Sequence, residues 1–226
     1  MDKAIRAASE SVVTNNVGDS LTTFGKGLSP FFLSLSLCFG ALITFMVYPQ
    51  WSQRAVDSGT RPIRAHLHTI LPALIIGFLQ SVALWIVQLF ILDVEPTHPW
   101  AMLAVLVFID WVFVNAVTAL NTVLGPAPGR LAAMALMSLQ LVASNGVYPP
   151  EVQPDFIQWV HSWDPMRYSV DLVRYGLFST SDYDPRMWQA VAYLTVVSVL
   201  AFALSTTALL LRRRMLKSHL HPEISV

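Results

Sequence analysis

The side chain best placed to do chemistry in this sequence is a carboxylate within an apolar run. Asp110, in "VLVFIDWVFVNAV", is the sole ionisable residue well inside a candidate membrane span. A carboxylate left in hydrocarbon costs several kcal/mol, so Asp110 is expected to face a bundle interior or a wet cavity. Asn115 follows five residues later, about 140° around a helix, so the two need not share a face. Structural hydrogen bonding, lining of a substrate path and proton coupling all suit Asp110. No basic intramembrane partner accompanies it, which argues against the last. The histidines do not form a metal signature: His66 and His68 are two apart and do not face each other on a helix, while His219 and His221 lie in a basic tail. Cys38 is the single cysteine, which excludes an intramolecular disulfide and a cysteine-cluster metal site. "FGKG" at 24–27 lacks the spacing and the following Ser/Thr of a phosphate-binding loop. No catalytic group, metal or cofactor is therefore expected, and an ATPase activity would have to come from a separate polypeptide. Arg61, Arg64 and His66, in "GTRPIRAH", read either as a topology anchor or as a coupling segment for a cytoplasmic partner.

The elements that must position these groups are membrane helices. Of 226 residues, 54% are hydrophobic and 12% charged, against about a quarter charged in soluble domains; the mean hydropathy is +0.55. The net charge is zero and no long basic block occurs, so nucleic-acid binding is not expected. Five apolar runs have near-spanning length: 30–48, about 70–92, 100–120, about 131–147 and 188–211. The fourth is short and polar at its end, and its helix could begin nearer Pro126. The connections alternate in charge. Arg54, Arg61 and Arg64 outweigh Asp57; "LDVEPTHP" is acidic; "NTVLGPAPGR" ends in Arg130; residues 148–187 carry six acids and three arginines; and "RRRMLKSHLHPEISV" is basic. Five spans then place the N-terminus outside and the C-terminus in the cytoplasm of a cell membrane. The alternation supports the weak fourth span, because without it the basic tail would point the wrong way.

Residues 1–29 form a juxtamembrane segment expected outside. Val17, Leu21, Phe24 and Leu28 share one helical face, suited to an ordinary juxtamembrane helix, a stalk from an external domain, or a dimer contact. Residues 30–211 form the membrane domain, and 212–226 a basic cytoplasmic tail that anchors the chain and touches anionic lipid.

The most elaborate stretch is 149–180. Pro149, Pro150 and Pro154 oppose helix after Val147. Phe156, Trp159, Val160 and Trp163 then make one aromatic face suited to a membrane interface. Asp164-Pro165 reads as N-cap and first helical position, and Met166, Val170, Val173 and Leu177 form the next apolar stripe. Arg167, Asp171 and Arg174 are spaced for ion pairs. An external hairpin of two short helices, re-entrant or interfacial, is expected before the last span.

The stretch "GVYPPEVQPDFIQWVHSWDPMRYSVDLVRYGLF" resembles the external hairpin of type-2 ABC transporter membrane domains, and more narrowly the C-terminal membrane region of the YhgE/Pip (phage infection protein) family. The matching positions are Gly146, Tyr148, Pro149, Glu151, Pro154, Phe156, Pro165, Tyr168, Ser169, Val170, Asp171, Val173 and Arg174. "FGKGLSPFFLSLSLCFGALITF" is also similar to that family's approach to its last five helices. The resemblance implies an all-α, ABC-2-like integral membrane protein, bacterial, with five transmembrane helices and an external amphipathic hairpin before the last. It implies an exporter-like transport or envelope-secretion subunit that works with a second membrane subunit or as a homodimer, and with a cytoplasmic ABC ATPase. Family members usually carry an earlier helix and a large external domain, so such parts are expected to be missing here. The alternative reading is a noncatalytic membrane scaffold or secretion-associated interaction protein.

Overall fold

The computed structural model describes residues 17–48, 62–91, 96, 98–144, 153–178 and 185–216. Within them the fold is entirely helical: α1 (Val17–Val47), α2 (Pro62–Phe90), α3 (Pro99–Leu124), α4 (Pro126–Ala143), α5 (Asp155–Trp163), α6 (Pro165–Phe178) and α7 (Pro185–Leu216). Four of these are long and apolar enough to cross a membrane, over Gly25–Val47, His66–Phe90, Pro99–Leu124 and Pro185–Leu211. The expected fourth crossing is α4. It begins at Pro126 and runs for 18 residues, about 27 Å, a little short of the ~30 Å hydrocarbon core.

α3 is the hub, packing against α1, α2, α4, α6 and α7. Its buried residues, among them Met102, Leu106, Ile109, Val112 and Phe113, meet Leu37, Ala41 and Phe45 of α1 and Leu194 of α7 in one core. The outward faces remain apolar: Leu71, Ile75 and Leu79 on α2 and Val199, Leu200 and Leu204 on α7 are exposed. In water such a belt would be a large exposed patch; around a spanning bundle it is the lipid-facing surface. The exposed tryptophans Trp100, Trp159, Trp163 and Trp188 gather at the end of the bundle that carries α5 and α6, called here the hairpin end, as in an interfacial aromatic belt.

Two local features show how the sequence sets the helices. α1 does not start at Pro30, where the apolar run begins, but continues back to Val17. Pro30 has no N–H to give the Lys26 carbonyl, and the Ser29 hydroxyl donates to that oxygen instead at 2.7 Å. At the far end, one residue separates α3 from α4. Gly125 takes φ 103° and ψ 171°, a region essentially reserved for glycine, and Pro126 then opens α4 at a position where its missing N–H costs nothing. Gly129, one turn on, lies so close to α3 that an added Cβ would stand 2.5 Å from Asn121 Cα.

Candidate functional site

The polar groups inside the bundle are held by small notches. Asp110 is 2% exposed, and its carboxyl fills the space left by the missing side chain of Gly77 on α2; a Cβ there would overlap the carboxyl carbon and both oxygens. Gln80 on α2 does the same to Gly40 on α1, and its Nε2 donates to the Ser36 carbonyl at 2.6 Å. The three helices α1, α2 and α3 are thus locked side by side by two polar knobs in two glycine notches. Asn115 is buried on α3 and its Nδ2 donates to the Trp111 carbonyl at 2.8 Å. Asp110 Oδ1 and Asn115 Oδ1 have no hydrogen-bond partner among the described residues. Asp110 lines none of the three cavities described in the bundle. It is a packed group at a helix interface.

The expected coupling residues separate. Arg64 is exposed. His66 is 1% exposed, its ring edge-on to Phe202 of α7 with centroids 4.6 Å apart, so it packs within the bundle rather than on a docking surface. Arg61 lies outside the described residues, as do Gly146, Tyr148, Pro149 and Glu151.

The hairpin is built from α5 and α6, with Asp164-Pro165 as its turning point. Asp164 Oδ1 accepts the Met166 N–H at 3.0 Å and caps α6. Arg167 Nη1 donates to the His161 carbonyl at 3.3 Å and the Tyr168 hydroxyl to the Ser162 carbonyl at 3.2 Å, so both tie α6 back to α5. On α6, Met166, Ser169, Val170, Leu172, Val173 and Leu177 are buried, and the helix packs on α1, α3 and α7. Arg174 pairs with Asp171 at 3.2 Å on the outer side, and Arg167 stands 4.0 Å from the same carboxylate. Such exposed pairs contribute little. Pro154 precedes α5 as its N-cap. α5 holds to α4 through its buried His161, whose Nδ1 is 2.5 Å from the Ala143 carbonyl; an oxygen that only accepts requires the proton on Nδ1. Its other face presents Phe156, Trp159 and Trp163 outward, each more than 60% exposed.

The turning point is set deep. The Tyr193 hydroxyl donates to the Trp163 carbonyl at 2.5 Å, and the Tyr193 ring stacks on Tyr168 at 4.0 Å. Tyr193 lies eight residues beyond the start of α7 at Pro185, so the turning point sits about 12 Å down that helix. The turning point thus packs against the flank of α7 rather than beyond its end. Burial pushes the Asp164 carboxyl up to about 7, against the opposing pull of the Met166 and Arg167 backbone bonds and the Arg167 charge.

Sequence reasoning named Asp110, Trp159, Trp163 and Asp164-Pro165 but missed Gln80, His161 and Tyr193. The signal for Gln80 was an amide, one of two with Gln88, within an otherwise apolar run; nothing local marks Tyr193, because its partner lies 30 residues away. Among the described residues no group of three or more His, Cys, Asp or Glu could hold a metal ion.

Comparison with known proteins agrees with this geometry. Residues 26–178 match the family described as ABC-2 type transporter, an interval that takes in most of α1 and all of α2–α6. The uncharacterized protein YhgE of Bacillus subtilis (strain 168) is 29% identical over 188 residues, which is 83% of this chain and 24% of that protein. The chain thus spans about a quarter of the length of this curated relative. With the match covering more than half of its residues, the chain belongs to the ABC-2 type transporter family and is a multi-pass membrane transport component similar to YhgE.

Proposed function

We propose that this chain is the membrane subunit of an exporter-like system of the bacterial cell envelope, in which the re-entrant hairpin closes the outer mouth of the bundle. The observation that carries this reading is the packing of α6, which opens at the Asp164-Pro165 turn, against α1 and α7, with that turn held by the Tyr193–Trp163 bond. A plug so placed must shift for anything to leave the bundle at that end. The alternation of loop charge puts the hairpin and the start of α1 outside and the basic end of α7 in the cytoplasm. Residues 30–211 then act as the membrane domain, 1–29 as an external juxtamembrane segment, and 212–226 as a lipid-facing basic tail. The exposed aromatic face of α5 rests in the outer interface.

The 226 residues contain no phosphate-binding loop, so ATP hydrolysis in this reading comes from a cytoplasmic ABC ATPase. Arg64 stands on the side where such a motor would engage. The domain pairs with a second membrane subunit or a second copy of itself. Purification of the native complex in mild detergent, followed by mass spectrometry, tests this. A stoichiometric nucleotide-binding subunit is the expected result. Its absence, together with transport indifferent to ATP, would overturn the exporter reading in favour of a noncatalytic scaffold.

A further inference from the structure

We propose that the apolar cavity between α1, α3, α4 and α7 binds the acyl chain of a lipid that enters sideways from the bilayer, its polar end at Gln140 and its tail toward Leu120 and Leu204. The cavity is about 300 Å³, at the lower bound of ligand-sized sites. Its floor is buried, with Cys38, Val112, Phe113, Ala133 and Met137 all under 7% exposed, whereas Leu136, Leu200 and Leu204 at its mouth are 41–58% exposed on the lipid-facing belt. The mouth is thus continuous with the surface that hydrocarbon already covers.

The lining selects the occupant. Among the described residues no charged side chain lines the cavity, and Gln140 is the one polar side chain. A peptide would bring backbone N–H and C=O groups with nothing to bond, and a charged solute would be uncompensated. A saturated chain loses nothing and gains dispersion contacts that an empty cavity forfeits. Three helices agree on the length: lining runs from Val112 to Leu120 on α3, Ala133 to Gln140 on α4 and Val197 to Leu204 on α7. Each is about 10–12 Å, roughly a third of the hydrocarbon core. The site therefore holds part of one chain and leaves the rest in the bilayer. Gln140 is near the hairpin end of α4, and Pro165, the turning point of the hairpin, forms the cavity wall at the same end. A shift of the hairpin would uncover the polar end of the bound chain. The binding site stands by itself; only the identification of the chain as cargo rests on the exporter reading.

The test uses the full chain in liposomes containing a trace of phosphatidylglycerol with a mid-chain diazirine, with adducts mapped by peptide mass spectrometry. Labelling of the Leu136–Gln140 and Leu200–Leu204 segments is expected to exceed that of the exposed Ile75–Leu79 face of α2 by about tenfold. Ala116→Leu and Ala201→Leu, which fill the cavity from two helices, are expected to remove that excess while leaving the α2 adducts and the melting temperature unchanged. Equal labelling of the two surfaces would overturn the site. So would an excess that survives in a filled variant melting as the unmodified chain does. Loss of the excess with lipid transport intact would keep the site and overturn the cargo assignment alone. Failure of transport in both unmodified and filled chains would count against the exporter reading and leave the adduct result to decide the site.

Discussion

Gly77→Ala adds one methyl at the centre of the α2–α3 interface, where Asp110 fills the notch. Turning the carboxyl about its last bond does not relieve the overlap, because the carboxyl carbon itself lies inside it. Either Asp110 must leave its rotamer or the helices must part, and overpacking of this kind costs about 1–3 kcal/mol. For a chain of this size, each kcal/mol corresponds to about 2–4 °C, so the melting temperature in detergent should fall by roughly 4–8 °C at a cost of about 2 kcal/mol. A double-mutant cycle isolates the contact. With Asp110→Ala, which vacates the notch, the cost of Gly77→Ala should shrink by about 1 kcal/mol or more. With Asp110→Asn, which keeps the shape and loses the ionisable group, the cost should persist. Tryptophan fluorescence on heating reads all four proteins and the double mutants. If Gly77→Ala melts within about 1 °C of the unmodified chain, or costs the same with and without the Asp110 side chain, the notch does not hold these helices together.

Asp164 gives a pH signature. Its carboxyl is pushed by burial from 3.8 to about 7, so the folded state holds the proton more tightly than the unfolded chain. Stability is fully present below about pH 4 and is lost as pH rises through about 7, by roughly 2–3 kcal/mol between pH 5 and 8. Asp164→Asn keeps an oxygen for the Met166 N–H and should flatten the melting profile across that window; an unchanged slope would remove Asp164 as its source. Gly125→Ala forces a side chain into φ 103°, ψ 171° and should cost about 1–3 kcal/mol by chemical denaturation, whereas Gly25→Ala, which meets nothing within 4 Å, should not destabilise. Tyr193→Phe keeps the ring stacked on Tyr168 and removes the donor to the Trp163 carbonyl. It should cost about 1 kcal/mol and raise protease cleavage within 153–164, while cleavage elsewhere stays the same.

The helices were legible in sequence because apolar runs of spanning length report their own burial in lipid. The Asp164-Pro165 break was legible because a short-range acceptor and a fixed φ set it locally. What sequence did not show was depth and pairing. The α5 aromatics suit a helix flat on the membrane and equally one wall of a hairpin dipping inward. The Tyr193–Trp163 contact, across 30 residues, seats the turning point against α7, and no local pattern encodes it. In the same way, it is helix register that places Asp110 opposite Gly77 and Gln80 opposite Gly40, which no local pattern encodes. His66 looked like part of a surface segment, and it is the approach of Phe202 from α7 that makes it internal.

The most direct measurement is the ATP-dependent movement of a fluorescent phospholipid in proteoliposomes containing the purified native complex, with and without a reducible bis-thiosulfonate clamp that bridges Trp163→Cys and Tyr193→Cys. An exporter subunit whose hairpin closes the exit gives ATP-dependent movement that stops when the clamp is formed and returns on reduction. Movement indifferent to ATP, or unaffected by a fully formed clamp, contradicts it.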